Sequence, residues 1–274
     1  MNRKAIIVGF SIFLFAFSVF IGDLLARISD QVIETIGQGQ VNWSKHVIRA
    51  TGSGAPSPSA PNIAVARLGA ERAAKADALR NLLETVKGVR IDSETTVVNA
   101  MTQSDVIHSR VQGFIRGARV IDKRYFSDGA VEVDIEMPLT GEFANSLLPA
   151  TGGLSVPSMG NPVYTGLIID TKGLELRPAM SPKVLDEDGR EIYGSAYVSR
   201  EFAIQQGIVG YARDIEAARQ NERVTDNPII IKGIKTDGPG NSNVVIRNQD
   251  ANMLRDSSKN LSFLSQCRVL LLVD

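Results

Sequence analysis

The segment Ala5–Ile21 (AIIVGFSIFLFAFSVFI) constrains this chain more than any other. It holds five of the ten phenylalanines within 17 residues, carries no charge, and follows Arg3 and Lys4. An uncharged apolar run preceded by basic residues enters a membrane and leaves those basic residues on the cytoplasmic side. The roughly 250 residues beyond it are therefore expected outside the cytoplasm.

Two readings of residues 1–39 follow. A run of 17 residues is at the lower edge of what spans a bilayer. A cleaved signal peptide needs small residues before its scissile bond. Ala16 and Ser18 are small but lie inside the apolar run, and Leu24 with Ala26 is a poor substitute. Beyond the run, Leu25, Ile28, Val32 and Ile36 recur at three- and four-residue steps, which predicts an amphipathic helix stopped by Gly37. A helix continuing from the membrane segment fits an uncleaved signal-anchor; a signal peptide is the other reading. No cysteine lies near the segment, so a lipoprotein cleavage site is absent.

Composition excludes several function classes. Lysine plus arginine equals aspartate plus glutamate at 30 each, so no basic excess exists to neutralise phosphates, and nucleic acid is not an expected partner. The single Cys267 precludes an internal disulfide and reads as a small buried hydrophobe. His46 and His108 lie far apart, and neither has a metal-ligand partner at helical spacing. No phosphate loop, nucleophile elbow or HExxH occurs. Asp186-Glu187-Asp188-Gly189 resembles the start of a calcium loop, but the position that needs a glutamate is Tyr197, so a hairpin turn is expected. No catalytic residue, cofactor site or metal site is read from the sequence.

The uncharged stretch Pro149–Pro162 (PATGGLSVPSMGNP) reads as a linker. It divides the exported part into residues 40–148 and 163–274. In the first module Val41–Thr51 reads as a strand with Val41, Trp43 and Val47 on one face, and Gly52–Pro61 as a loop. Asn62 caps a predicted helix Ile63–Lys87 that Gly88 ends. Val89–Asp92 reads as a short strand and Thr95–Ile115 as a second helix. Ala118–Phe126 and Ala130–Met137 form a hairpin around Ser127-Asp128-Gly129, with Val131, Val133, Ile135 and Met137 alternating with Glu132, Asp134 and Glu136. The acidic face is expected to be solvated or to meet a basic partner face. The order β-α-β-α-β-β predicts an α+β fold, an antiparallel sheet with helices packed on one side.

The second module also reads as α+β. Tyr164–Asp170 is a strand, Asp186–Gly189 a hairpin turn, Ser199–Gln206 a capped helix, and Ile208–Gln220 ambiguous. Ile229–Lys235 and Asn243–Arg247 flank a turn. A last helix starts at Asn248 or Asp250, with Leu254, Leu261 and Leu264 inward. Arg268–Asp274 shows no alternation and is expected to be a central strand.

Residues about Gln40–Pro138 resemble the LPP20-type domain of bacterial envelope proteins. The resemblance lies in Trp43 and its strand, Ala50-Thr51-Gly52, the alanine-rich helix Ala64–Val86 into Gly88-Val89, Asp92–Thr96, and Val111–Ala118 leading to the acidic hairpin. It implies relation to the flagellar assembly proteins T and P, which build rings or discs around the rotary motor, and to outer-membrane lipoproteins. Such proteins are typically not enzymes. This chain lacks their lipidated cysteine and adds a C-terminal module. The expectation is a non-enzymatic, structural envelope protein, periplasmic and tethered to the inner membrane through residues 5–21 where that segment is uncleaved. Its partners would be its own copies and other envelope proteins. The alternative is a periplasmic binding module for a small ligand or envelope polymer, which a concave pocket between the modules would favour.

Overall fold

The computed structural model describes residues 31–152, 154, 156, 158–161, 163–256 and 260–274. The apolar run 5–21 and the start of the expected amphipathic helix lie outside the described residues. Among the described residues, no helix is long and apolar enough to cross a membrane.

The chain is α+β throughout. Its first sheet is antiparallel, in the order β1 (Ile33–Ile36), β2 (Gly39–Asn42), β3 (Val47–Gly54), β5 (Val131–Pro138), β4 (Arg119–Tyr125). Helices α1 (Ile63–Lys87), α2 (Val97–Gln103), α3 (Asp105–Arg116) and α4 (Glu142–Leu147) complete this part. Asn62 caps α1, its side-chain oxygen accepting from the Val65 N–H at 2.9 Å, and the Gly88 N–H closes the last turn.

Four local expectations change. The amphipathic helix expected over Leu25–Ile36 is, in its described part, strand β1, paired with β2 across a tight turn at Gly37 (φ +59°). The reason is arithmetic: the four-residue step from Val32 to Ile36 is also an even number. It puts Val32, Glu34 and Ile36 on the inner face of a strand while Ile33 and Thr35 point out. The sheet therefore begins before Gln40. The single strand Val41–Thr51 is two strands, broken by a turn at Trp43–His46 in which His46 takes φ +53°. The second of them runs on to Gly54, into what reads as a loop. Val89–Asp92 is not a strand but an irregular loop with one bridge, Arg90 to Thr96. The helix Thr95–Ile115 is two helices, because the Ser104 hydroxyl accepts from the Ile107 N–H and caps a new start.

The alanines of α1 divide by face. Ala73 and Ala76 are exposed, where helix propensity accounts for them. Ala70, Ala74 and Ala78 are fully buried at four-residue steps against Gly52 and Gly54 of β3. Small residues on both elements bring helix and strand backbones into contact.

The outer face of this sheet is not an open acidic surface. Glu136 bonds to Arg49 at 2.7 Å and Arg119 at 2.9 Å, and Arg124 holds Asp134 at 2.6 Å and Glu132 at 3.1 Å. The basic partner of the acidic strand is thus its own neighbouring strands. Arg124 and Thr51 hold the Asp134 carboxyl below its usual range.

The second sheet is mixed, in the order β8 (Glu191–Tyr193), β7 (Val184–Leu185), β11 (Asn243–Ile246), β10 (Pro228–Asp237), β6 (Gly166–Asp170), β12 (Val269–Leu272), β9 (Gly210–Ala212). Helices α5 (Arg200–Gln206), α6 (Ile215–Arg219) and α7 (Asn248–Arg255) flank it. The β6 strand runs parallel to both β10 and β12. Strands β6 and β12 (GLIID and VLLL) are buried on both faces, which is why neither alternates. The ambiguous stretch Ile208–Gln220 resolves into β9 and α6. Leu261 and Leu264 are buried as expected, but in a turn beyond α7 rather than on it. One hydrophobic cluster runs through both sheets, from Val41 and Trp43 to Leu271 and Val273, and a smaller one around Ile168, Ala218, Val224 and Leu270 lies in the second part.

Candidate functional site at the junction of the two sheets

Three segments of the first part insert against the second. The first is the turn between β2 and β3. The Ser44 hydroxyl donates to the Tyr211 carbonyl at 2.7 Å, and the Trp43 ring meets Tyr211 edge-on at 5.8 Å. The Trp43 indole N–H donates to Glu34 at 2.9 Å, and Glu34 is held by Arg90. The second is the loop after α1. Arg90 Nε donates to the Pro178 carbonyl at 2.8 Å, the Met180 and Ser181 N–H groups donate back to Arg90 and Ile91 carbonyls, and Asn243 Nδ2 donates to the Ser93 hydroxyl at 2.9 Å. The third is α4, where Arg200 of α5 donates to the Asn145 and Pro149 carbonyls at 2.6 and 2.9 Å.

His46 lies at the centre of this junction. Its Nε2 is 3.0 Å from the Val209 carbonyl, so Nε2 carries the proton, since a carbonyl only accepts. It packs on Gly207, where a Cβ would come within 2.9 Å of the ring. Burial first, and the Arg223 charge second, lower its pKa from 6.5 to about 4. Arg223 is itself half-buried and donates to the carbonyls of Gly207, Cys267 and Gln206. Burial pushes the Cys267 thiol up to about 12. It also raises the phenol of Tyr193, which donates to the Ile208 carbonyl at 2.6 Å.

This tuning opposes nucleophilic chemistry. A cysteine nucleophile needs a lowered thiol pKa beside a base that titrates near neutrality. Here the thiol is raised and the imidazole is committed to a backbone carbonyl. The junction encloses a cavity of about 10 Å³ lined by Trp43, His46, Leu139, Met180, Gly207 and Val209, room for about one water. His108 lies on α3 and bonds to Gln112 at 2.9 Å, away from the junction. The Asp186 turn is filled by cationic side chains. Arg190 and Arg255 each bond its carboxylate at 2.8 Å. Burial would raise that carboxyl, but the Arg190 N–H and both guanidinium groups outweigh it and hold it well below the usual range. Among the described residues, no group of three or more His, Cys, Asp or Glu side chains could hold a metal ion.

The sequence reading missed the junction. Arg90, Arg200 and Arg223 look like surface residues in sequence, and their backbone acceptors come from segments tens of residues away. The lone Trp43 was the available signal. Its burial was legible, and its contact with Tyr211 was not.

His46 makes stability depend on pH. Between about 4 and 6.5 the unfolded chain binds a proton that the folded chain refuses. Stability is therefore complete above 6.5 and falls as pH drops toward 4, by about 3 kcal/mol in all. The melting temperature should fall between pH 7 and 4.5, and His46→Gln should flatten that fall. Parallel curves for both proteins would remove His46 as the cause.

Two stretches match family models. Residues 27–137 match the LPP20 lipoprotein family, and residues 166–274 match the second domain of Treponema pallidum Tp0624. No curated protein matches the chain. The first match begins ahead of β1 and ends with β5, and so spans the whole antiparallel sheet. On it the first part of the chain is similar to bacterial envelope lipoproteins, and the LPP20 lipoproteins are not an enzyme family.

Proposed function

We propose that the chain is a non-enzymatic structural protein of the cell envelope that assembles by self-association. The assembly is a ring-like, flagellum-associated or other periplasmic structure, with the membrane run 5–21 holding its copies near one surface. Its two modules run from β1 to residue 148 and over residues 163–274, joined by 149–162. The observation that carries this reading is the junction: the two parts meet through buried hydrogen bonds around a cavity of about 10 Å³. A small-ligand site needs several hundred cubic ångströms, so the junction favours assembly over the binding-module reading.

Sedimentation of the full chain in detergent tests it. Oligomers that grow with concentration are expected. A strictly monomeric chain would sink the assembly reading, and the binding-module reading would then lead.

A further inference from the structure

The first two turns of α1 are unexplained by the chain's own packing. From Ile63 to Gly69 no residue is buried, and Ala70 is the first that is. Ile63 is 81% exposed and Leu68 55%, with Tyr125 at the end of β4 beside them. An amphipathic helix normally turns such residues inward. Here a capped apolar helix end overhangs its sheet.

An apolar groove lies at the other end of the β4–β5 hairpin. It has a volume of about 570 Å³ and runs between the end of α3, the end of β5 and the start of α4, with Phe114, Met137, Pro138 and Phe143 in its walls. Phe114 and Phe143 meet edge-on at 5.9 Å. Gly113 and Gly117 also line it, four residues apart on one side of the helix, and a Cβ at Gly113 would meet nothing within 4 Å. Glycines there let another backbone come close. The seven residues of β4 separate groove from overhang by about 20 Å, so one chain cannot bring them together.

Glu71 at the overhang pairs with Lys123, Arg119 pairs with Glu136 at the groove, and the charges that remain beside the two features are opposite. Arg67 sits on the overhang, over the Tyr125 ring at 5.6 Å, and Glu142 stands at the rim of the groove. Among the described residues neither takes an ion pair. We infer that the α1 overhang of one copy docks in the α3–α4 groove of the next, Ile63 and Leu68 entering it and Arg67 meeting Glu142. This rests on the self-association proposed above and gives it a surface. Two different patches on each copy make a head-to-tail contact, which closes into a ring or runs on as a filament. A helix laid in an apolar groove is a recurrent mode of recognition.

The test uses the full chain in detergent. Leu68→Asp spoils the overhang, and Gly113→Trp fills the groove from a position where a Cβ meets nothing within 4 Å in the chain itself. Each variant alone should weaken self-association tenfold or more. Mixed together they should form a one-to-one complex and nothing larger, since one intact overhang meets one intact groove. Arg67→Glu and Glu142→Arg should each weaken assembly and should restore it when combined. This pair decides the matter if Gly113→Trp fails to fold. Assembly of all single variants like the parent overturns the docking while leaving self-association standing. So does loss in Leu68→Asp alone, which indicates a symmetric contact between overhangs. Unchanged oligomers with lost co-sedimentation on phosphatidylglycerol vesicles would reassign the overhang to a lipid surface. A monomeric parent removes the assembly reading and this inference together.

Discussion

Gly52→Val is expected to unfold the first sheet from its helix. A Cβ at Gly52 would lie 2.0 Å from the Ala78 backbone nitrogen and 2.4 Å from the Ala74 carbonyl oxygen. Both are backbone atoms in the middle of a 25-residue helix, so no side chain can swing aside. The helix must lift from β3, and Leu82 and Val86 lose their packing with it. Overpacking a core costs about 1–3 kcal/mol where side chains can give way. With helix backbone as the obstacle, roughly 3 kcal/mol or more is expected, out of a total that is typically 5–15 kcal/mol. Gly69→Ala is the control. Gly69 sits in the overhanging part of the same helix, and a Cβ there meets nothing within 4 Å. It should stabilise by roughly 0.5–1 kcal/mol through helix propensity. Urea unfolding of the two variants should therefore move in opposite directions. An unchanged midpoint for Gly52→Val would mean that helix and strand do not make this close approach.

What the sequence disclosed follows from which signals are local. Helix α1 was legible to its boundaries because Asn62 and Gly88 cap it chemically and its 25 residues hold no proline. The β4–β5 hairpin was legible because alternation and the Asp128-Gly129 turn agree. Gly129 takes φ +88°, and the Asp128 carboxylate accepts from the Ala130 N–H at 3.0 Å. The burial of β12 was legible from an unbroken apolar run. Strand β1 was not, because the four-residue step from Val32 to Ile36 satisfies both periods. Nor was the turn at Trp43–His46. It requires positive φ from a histidine, and that conformation is held by the Leu139 N–H on the His46 carbonyl and by the ring's bond to Val209. The junction itself was the least legible part. Its ligand groups are backbone carbonyls, which every residue has, and only the fold selects which of them Arg90, Arg200 and Arg223 will reach. The overhang was half legible: the apolar residues of Ile63–Leu68 are plain in the sequence, but that the sheet stops short of them is a property of strand length.

Trp43→Ala is expected to lower the stability of both sheets together. The side chain is 1% exposed, meets the Tyr211 ring edge-on, and donates to Glu34. Truncating a buried tryptophan costs about 3–5 kcal/mol. Here the loss is shared across the junction. The cavity opens against β9 of the second sheet as well as against the core of the first. Glu34 keeps Arg90 but loses the indole donor. Because one core runs through both sheets, far-UV circular dichroism should show one transition, shifted down, and not an early transition for the first part followed by an unchanged one for the second. Trp43→Phe keeps an aromatic ring in place while removing the bond to Glu34 and part of the ring volume. It should cost about 1–3 kcal/mol, the penalty of an unmade buried hydrogen bond, and should leave the transition single. Two resolved transitions in Trp43→Ala would mean the sheets fold independently and meet only as neighbours. A melting temperature equal to the parent's, with oligomers lost, would assign Trp43 to a surface between copies instead of the core where the structure buries it.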